Sequence, residues 1–427
     1  MRFQLGFVFA WMVGCSSVFG AAGQEVSRTP PEIFAKKIAP LLTPIEAVLG
    51  GRTAFPEETG GVVLLSETVV FQDDDGKTYR ALHLAHYAKD ESAVKTVSTD
   101  AIAFDHDRQT IFLISAESIQ PDGRHIAVDA KGAFIQTSQR TSDDQYDSES
   151  ELNIIYPKIG VGSVADAVVL IREDVPVIAG ELAVHHSFGS SWPSFSRRLV
   201  VDLPKKNWAK VHVEGTSAGS PTPTIHEEAD GREQRIWSAS RIDPISWEEE
   251  GPEMAFLVPT VWLTTLDSWD DVARWYSGLV VNRSDLGSEL KKQVDAWTKN
   301  VTDHDSIIDI LHEKVATEVR YTGLEFGLSG YQPNDCRNVW ANRYGDCKDK
   351  ANLLRAMLIY KGIPAHLVLL SSGGDGQINR ASPSWDQFNH AIVAIETGKG
   401  GFIFCDPTVK FLPARHLPMG DEARSVL

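Results

Sequence analysis

The chain has 427 residues, 42% hydrophobic and 23% charged, with 21 prolines. That composition excludes disorder on a large scale and suggests roughly two or three domains. With 41 Lys+Arg against 58 Asp+Glu the formal charge is −17, so the surface repels phosphate backbones and anionic headgroups, and nucleic acid is not expected as a partner.

Arg2 is followed by an apolar run from Leu5 to Val13 and by small residues through Gly23, the form of a cleaved secretory signal over residues 1–23. Its apolar core of about ten residues is too short to cross a bilayer roughly 30 Å thick. Cleavage could follow Gly20 or Gly23. Met12-Val13-Gly14-Cys15 also has the outline of a lipoprotein signal, in which Cys15 would be acylated and would supply membrane attachment. Either route predicts an exported, periplasmic or cell-envelope protein. Once Cys15 is set aside, Cys336, Cys347 and Cys405 remain, an odd number that leaves a thiol free or paired with another chain in an oxidising compartment.

Residues 24–60 form a lead-in with one helix near 31–42. From 61 to 265 the signals are those of strands, including Val62-Val63-Leu64-Leu65, Thr110-Ile111-Phe112-Leu113-Ile114 and Ala167-Val168-Val169-Leu170-Ile171, divided by turns such as Asp74-Asp75-Gly76 and Pro121-Asp122-Gly123. An all-β, sandwich-like domain is expected there. The acidic stretch 142–151 and the Gly/Ser/Pro/Thr stretch 215–224 read as solvated loops. Trp192, Phe195, Trp237, Trp247 and Trp262 read as core or cross-strand partners rather than a sugar-binding face.

After residue 266 the period changes to that of helices, over 268–279, 284–297 and 305–319. Another helix opens at Tyr344-Gly345-Asp346-Cys347-Lys348-Asp349-Lys350-Ala351 and closes at Gly362. Asp346 is placed to cap it, with Asp349 three residues on as in a capping box. Cys347 then sits in the first turn, where unpaired N–H groups and the helix dipole favour a thiolate and could hold an oxyanion. Three strands follow, over 365–370, 389–395 and 402–406. His390 begins the second and Asp406 ends the third, so an antiparallel hairpin joined at 396–400 brings the two together. A carboxylate on one imidazole nitrogen lets the other face a thiol. Cys405 reads as core or a disulfide partner of Cys336, and His366 as a mid-strand residue without an evident carboxylate.

Asn342 through Ala351, then Phe388-Asn389-His390-Ala391, then Asp406-Pro407-Thr408, resemble the core of the transglutaminase-like superfamily, helped by Arg320-Tyr321 and Gly330-Tyr331-Gln332-Pro333. Fainter similarity at Ala116-Glu117, Pro121-Asp122-Gly123, Gly162-Ser163 and Leu203-Pro204 resembles the β-rich domain of unknown function that precedes this core in exported bacterial proteins. The resemblance implies a papain-like α+β domain over 266–427 with a Cys347, His390, Asp406 triad. Relatives of this arrangement usually continue into a further small β domain, whereas this sequence stops at Leu427.

The chemistry expected is acyl transfer or hydrolysis at a peptide or carboxamide carbonyl, on a protein or peptide substrate, through a thioester on Cys347. Gln332 and Trp340, close to the cysteine in sequence, are the side chains proposed to help the Cys347 N–H hold the oxyanion. No metal or cofactor is called for. The rival expectation is a catalytically silent cell-envelope binding or assembly module that works through the β-rich domain.

Overall fold

The structure, a computed structural model, describes residues 24–56, 59–137, 145–208, 211–215, 221–246, 254–325, 327–373, 377–398 and 400–427. The signal segment, Cys15 and Trp247 lie outside them. Among the described residues no helix is long and apolar enough to cross a membrane. The chain forms two compact units, a strand-rich one ending at Thr265 and a second that comprises Leu266–Leu427 with the short segment 145–148.

The strand-rich unit is built on an eight-stranded sheet, at whose centre Gly61–Gln72 pairs antiparallel with Thr78–Ala88 and parallel with Ser194–Pro204. Side chains alternate across these strands, so each can bury both faces. On one face Leu82, Leu84, Leu113, Ala167 and Val169 pack with Ile102, Phe104, Leu152 and Ile154 of a four-stranded sheet. Farther along, Leu199, Val201 and Trp237 pack with Val184, Val261 and Leu263 of a three-stranded sheet. The opposite face is covered by the lead-in, through Phe34 and Ile38 on Val69, Ala81 and Val200, and through Ile45 and Val48 on Leu64 and Ala85. The lead-in is therefore part of this core and not merely a connection to it. Its helical turns over Phe34–Ile38 and Ala39–Leu41 are tied down where Thr43 donates to Glu67 and Arg198 donates to the Leu41 carbonyl.

One expected loop is corrected. Within the stretch 142–151, Glu149–Ile155 is a strand whose Ser150, Leu152 and Ile154 point inward; the acidic residues that suggested a loop occupy its outward positions. The expected aromatics are packed, Trp237 and Trp262 buried outright and Phe195 lying against Gly51.

In the second unit, helices α1 (Trp269–Val280), α2 (Gly287–Trp297), α3 (His304–Glu318), α4 (Cys336–Asn342) and α5 (Cys347–Tyr360) accompany one three-stranded antiparallel sheet. Its strands β1 (Ala365–Leu370), β2 (His390–Glu396) and β3 (Phe402–Cys405) lie in that order, with β2 central. Leu353, Leu354, Met357 and Leu358 of α5 pack with Leu311 and Val315 of α3 and with Val393 and Ile395 of β2. This wedges α5 between helices and sheet, and its buried faces fix the direction in which its N-terminus points.

Candidate active site

The start of α5 is over-determined. The backbone of Arg320–Tyr321 pairs in parallel with Tyr344–Gly345. The next residue, Asp346, caps the helix: its carboxylate accepts the Asp349 N–H at 3.2 Å, and the Asp349 carboxylate accepts the Asp346 N–H at 3.3 Å. Asp349 accepts two further bonds, from the Asn334 N–H at 2.7 Å and the Asn334 side-chain amide at 3.1 Å. A Cβ on Gly345 would lie 2.7 Å from the Asp349 Cβ, so this approach requires glycine. Cys347, the first helical residue, is fully buried.

Two buried lysines flank it. Lys348 forms an ion pair with Asp346, and Lys350 donates to the Val319 carbonyl at 2.7 Å just past the end of α3. Burial lowers the Lys350 ammonium to about 8, with Asp406 opposing. In the sequence the two lysines read as positive charge offsetting Asp346 and Asp349 beside Cys347; their burial was not expected.

At the other side of the site, β2 pairs with β3 in the register Val393 to Cys405, which carries Asp406 toward the first residues of β2. His390 Nε2 lies 3.2 Å from Asp406 Oδ2. Asp406 is itself held: the Thr408 N–H and hydroxyl donate to its carboxylate at 2.8 and 2.9 Å, and the His312 ring donates to its carbonyl at 2.9 Å. Burial disfavours charge on both partners, yet the Asp406 carboxylate holds the His390 imidazole above its ordinary value, while His390 and Thr408 hold Asp406 below its own.

Because Nε2 is taken by Asp406, Nδ1 is the nitrogen left for a thiol. Cys347 packs in one apolar cluster with Tyr276, Val280, Leu369, Phe388 and Ala391, and two of these, Phe388 and Ala391, bracket His390 in sequence. Tyr276 lies on the buried face of α1. Its buried hydroxyl has no hydrogen-bond partner among the described residues, and burial, Cys347, Asp346 and Asp349 all disfavour its ionisation.

A family model for the transglutaminase-like superfamily matches residues 289–407. This region is a transglutaminase-like core. A domain of unknown function, DUF3857, matches residues 74–246 of the strand-rich unit. A protease candidate from Parabacteroides distasonis shares the fold over 84% of this chain and 72% of its own, at 14% identity and a TM-score of 0.67. A cysteine protease candidate from Cytophaga hutchinsonii covers 58% of this chain and 84% of its own at 14% identity, with a TM-score of 0.25. The periplasmic domain of TgpA from Pseudomonas aeruginosa covers 56% and 77% at 14%, with a TM-score of 0.23. No curated protein matches the chain.

Within the transglutaminase-like core several expectations need correction. Gln332 and Trp340 are committed elsewhere. The Gln332 amide donates to the Leu279 carbonyl at 3.1 Å and accepts from Arg283 at 2.9 Å. The Trp340 indole donates to Gln293 at 3.1 Å and packs among Trp297 and Arg343. Nearness in sequence to Cys347 misled there, because Trp340 turns to Gln293 of α2, while Gln332, ahead of α4, is held by Leu279 and Arg283 around the end of α1. Of the two readings of Cys405, core holds and the disulfide does not: Cys336 and Cys405 are free, buried thiols in one core, and burial pushes Cys405 up to about 12. His366 does have a carboxylate, Glu396 at 2.8 Å, but both are exposed.

The sequence also gave no warning of Asp421. This buried residue sits in the turn Met419–Asp421, with its Oδ2 3.7 Å from His390 Nε2. The donor atoms of His390, Asp406 and Asp421 all lie within 4.8 Å of one another.

Proposed function

We propose that this is an exported cysteine-dependent acyltransferase or amidohydrolase in which Cys347, His390 and Asp406 act as nucleophile, base and orienting carboxylate. The observation that carries the reading is the His390 to Asp406 contact, which engages one ring nitrogen and frees the other, in a domain whose α5 presents Cys347 at a capped N-terminus. The Cys347 sulfur attacks a peptide or carboxamide carbonyl carbon, forming a C–S bond as the carbonyl π pair moves to oxygen. His390 gives a proton to the departing nitrogen, the C–N bond breaks, and a thioester remains. Water or an amine, deprotonated by His390, then attacks that thioester and releases the thiolate. The Cys347 N–H and the Tyr276 hydroxyl, which has no hydrogen-bond partner among the described residues, are the donors offered to the oxyanion.

The complete burial of Cys347 favours a second reading, a silent module whose site is closed. One experiment separates them. The full chain is incubated with a glutamine-bearing peptide and a labelled amine, and the products are weighed. Amine incorporation or deamidation, absent in Cys347→Ala, supports acyl transfer. An unchanged peptide with both proteins supports the silent module.

A further inference from the structure

Asp421 belongs to neither the helix that carries Cys347 nor the hairpin that carries His390 and Asp406. It is brought in by the last residues of the chain, which are fastened on both sides of it. Leu427 exchanges two backbone hydrogen bonds with Leu369, each 3.0 Å. The Gly373 N–H donates to the Gly420 carbonyl at 3.1 Å, at a crossing so close that a Cβ on Gly420 would lie 3.2 Å from the Gly373 nitrogen. Ser372 donates its hydroxyl to Asp421 Oδ1 at 2.5 Å. The other oxygen, Oδ2, is buried without a hydrogen-bond partner among the described residues and faces His390 Nε2 at 3.7 Å.

A lone carboxylate oxygen in that position, beside a second carboxylate, needs a proton or a cation to offset its burial. We propose that Asp421 is a positioning residue for the His390–Asp406 pair, closing the second flank of the imidazole and sharing one proton with Asp406. The groups that face it are His390 and Asp406, with His312 and Lys350 behind Asp406. Burial comes first among the influences that raise the Asp421 carboxyl above its ordinary value, His390 opposing and Asp406 reinforcing. The His390–Asp406–Asp421 group then carries one negative charge against the imidazolium instead of two, and the shared proton joins the Ser372–Asp421 bond to the Asp406–His390 bond.

This inference rests on the acyl-transfer reading, but its test does not depend on turnover. The His390 imidazole is titrated by NMR in full-length wild type, Asp421→Asn and Asp421→Ala, and kcat and KM are measured beside it. Asparagine mimics the neutral acid, so Asp421→Asn is expected to keep the His390 midpoint within about 0.3 unit, whereas loss of a full anion would lower it by about one unit. Asp421→Ala is expected to lower kcat about tenfold or more at constant KM, with most of the rate recovered in Asp421→Asn. A one-unit fall in Asp421→Asn overturns the shared proton. Wild-type kinetics in Asp421→Ala overturns the positioning role, and so does a chelator that abolishes activity reversibly with Zn2+. Should the wild type prove inert while the NMR midpoints behave as expected, acyl transfer fails and the placement of Asp421 stands.

Discussion

Burial alone would leave the His390 imidazole neutral; the Asp406 carboxylate reverses that balance, and the direction of the shift fixes the pH response. A raised histidine contributes stability below its unfolded value of 6.5, lost as pH rises through the folded value. The depressed Asp406 contributes above its unfolded 3.8, lost as pH falls through its own folded value. The pair is therefore worth most between about pH 4 and 6.5. Urea unfolding of His390→Ala should show a larger stability deficit against wild type at pH 5.5 than at pH 9, and an equal deficit at both would contradict the pairing. Asp406→Asn should keep the fold and lower kcat by about 10³ or more, since the ring loses the anion that orients it; kinetics beside thermal melts check both parts. Tyr276→Phe removes a buried hydroxyl with no hydrogen-bond partner among the described residues, so it should gain about 1 kcal/mol of stability while losing about a hundredfold in kcat. A less stable but fully active Tyr276→Phe would remove Tyr276 from the oxyanion site. Of these features, the place of Cys347 at a helix start and the His390–Asp406 contact were legible in the sequence, because each residue sits at an element boundary. Tyr276 and Asp421 were not, because only tertiary packing brings a helix-face tyrosine and a tail carboxylate to the same imidazole and thiol.

At the scale of elements, the start of α5 concentrates several constraints in four residues. Asp346 both caps the helix and neutralises buried Lys348, so Asp346→Ala removes a buried counter-charge along with the cap. It should cost about 3–5 kcal/mol, rather than the roughly 1 kcal/mol of an ordinary cap. Chemical denaturation decides between the two figures, and a loss near the lower one would mean that Lys348 finds water in the variant. The helix, its cap and the three strands were readable from apolar period and capping chemistry. The seven-residue α4 was not, being too short to display a period, and the placement of Trp340 failed with it; Gln332 failed separately, since nothing local signals its bonds to Leu279 and Arg283. The strand Glu149–Ile155 was obscured by the charge on its outward face, although its alternation was present to be read.

At the scale of the whole chain, each unit has its own core, Leu311, Met357 and Val393 in one and Leu113, Leu152 and Val169 in the other. Calorimetry should resolve more than one transition, with Asp346→Ala lowering only one of them; a single transition shifted as a whole would contradict independent cores. The division was visible in the sequence as a change of hydrophobic period near residue 266. The covering role of the lead-in was not, since nothing local marks which sheet face a short helix will meet. The account as a whole depends on a thiol activated by its imidazole, and the rate of Cys347 alkylation against pH, in wild type and His390→Ala, reads that directly. Wild type should react well below pH 8.5 and lose that acidic reactivity in His390→Ala. A common titration near the ordinary thiol value of about 8.5 in both proteins would contradict it.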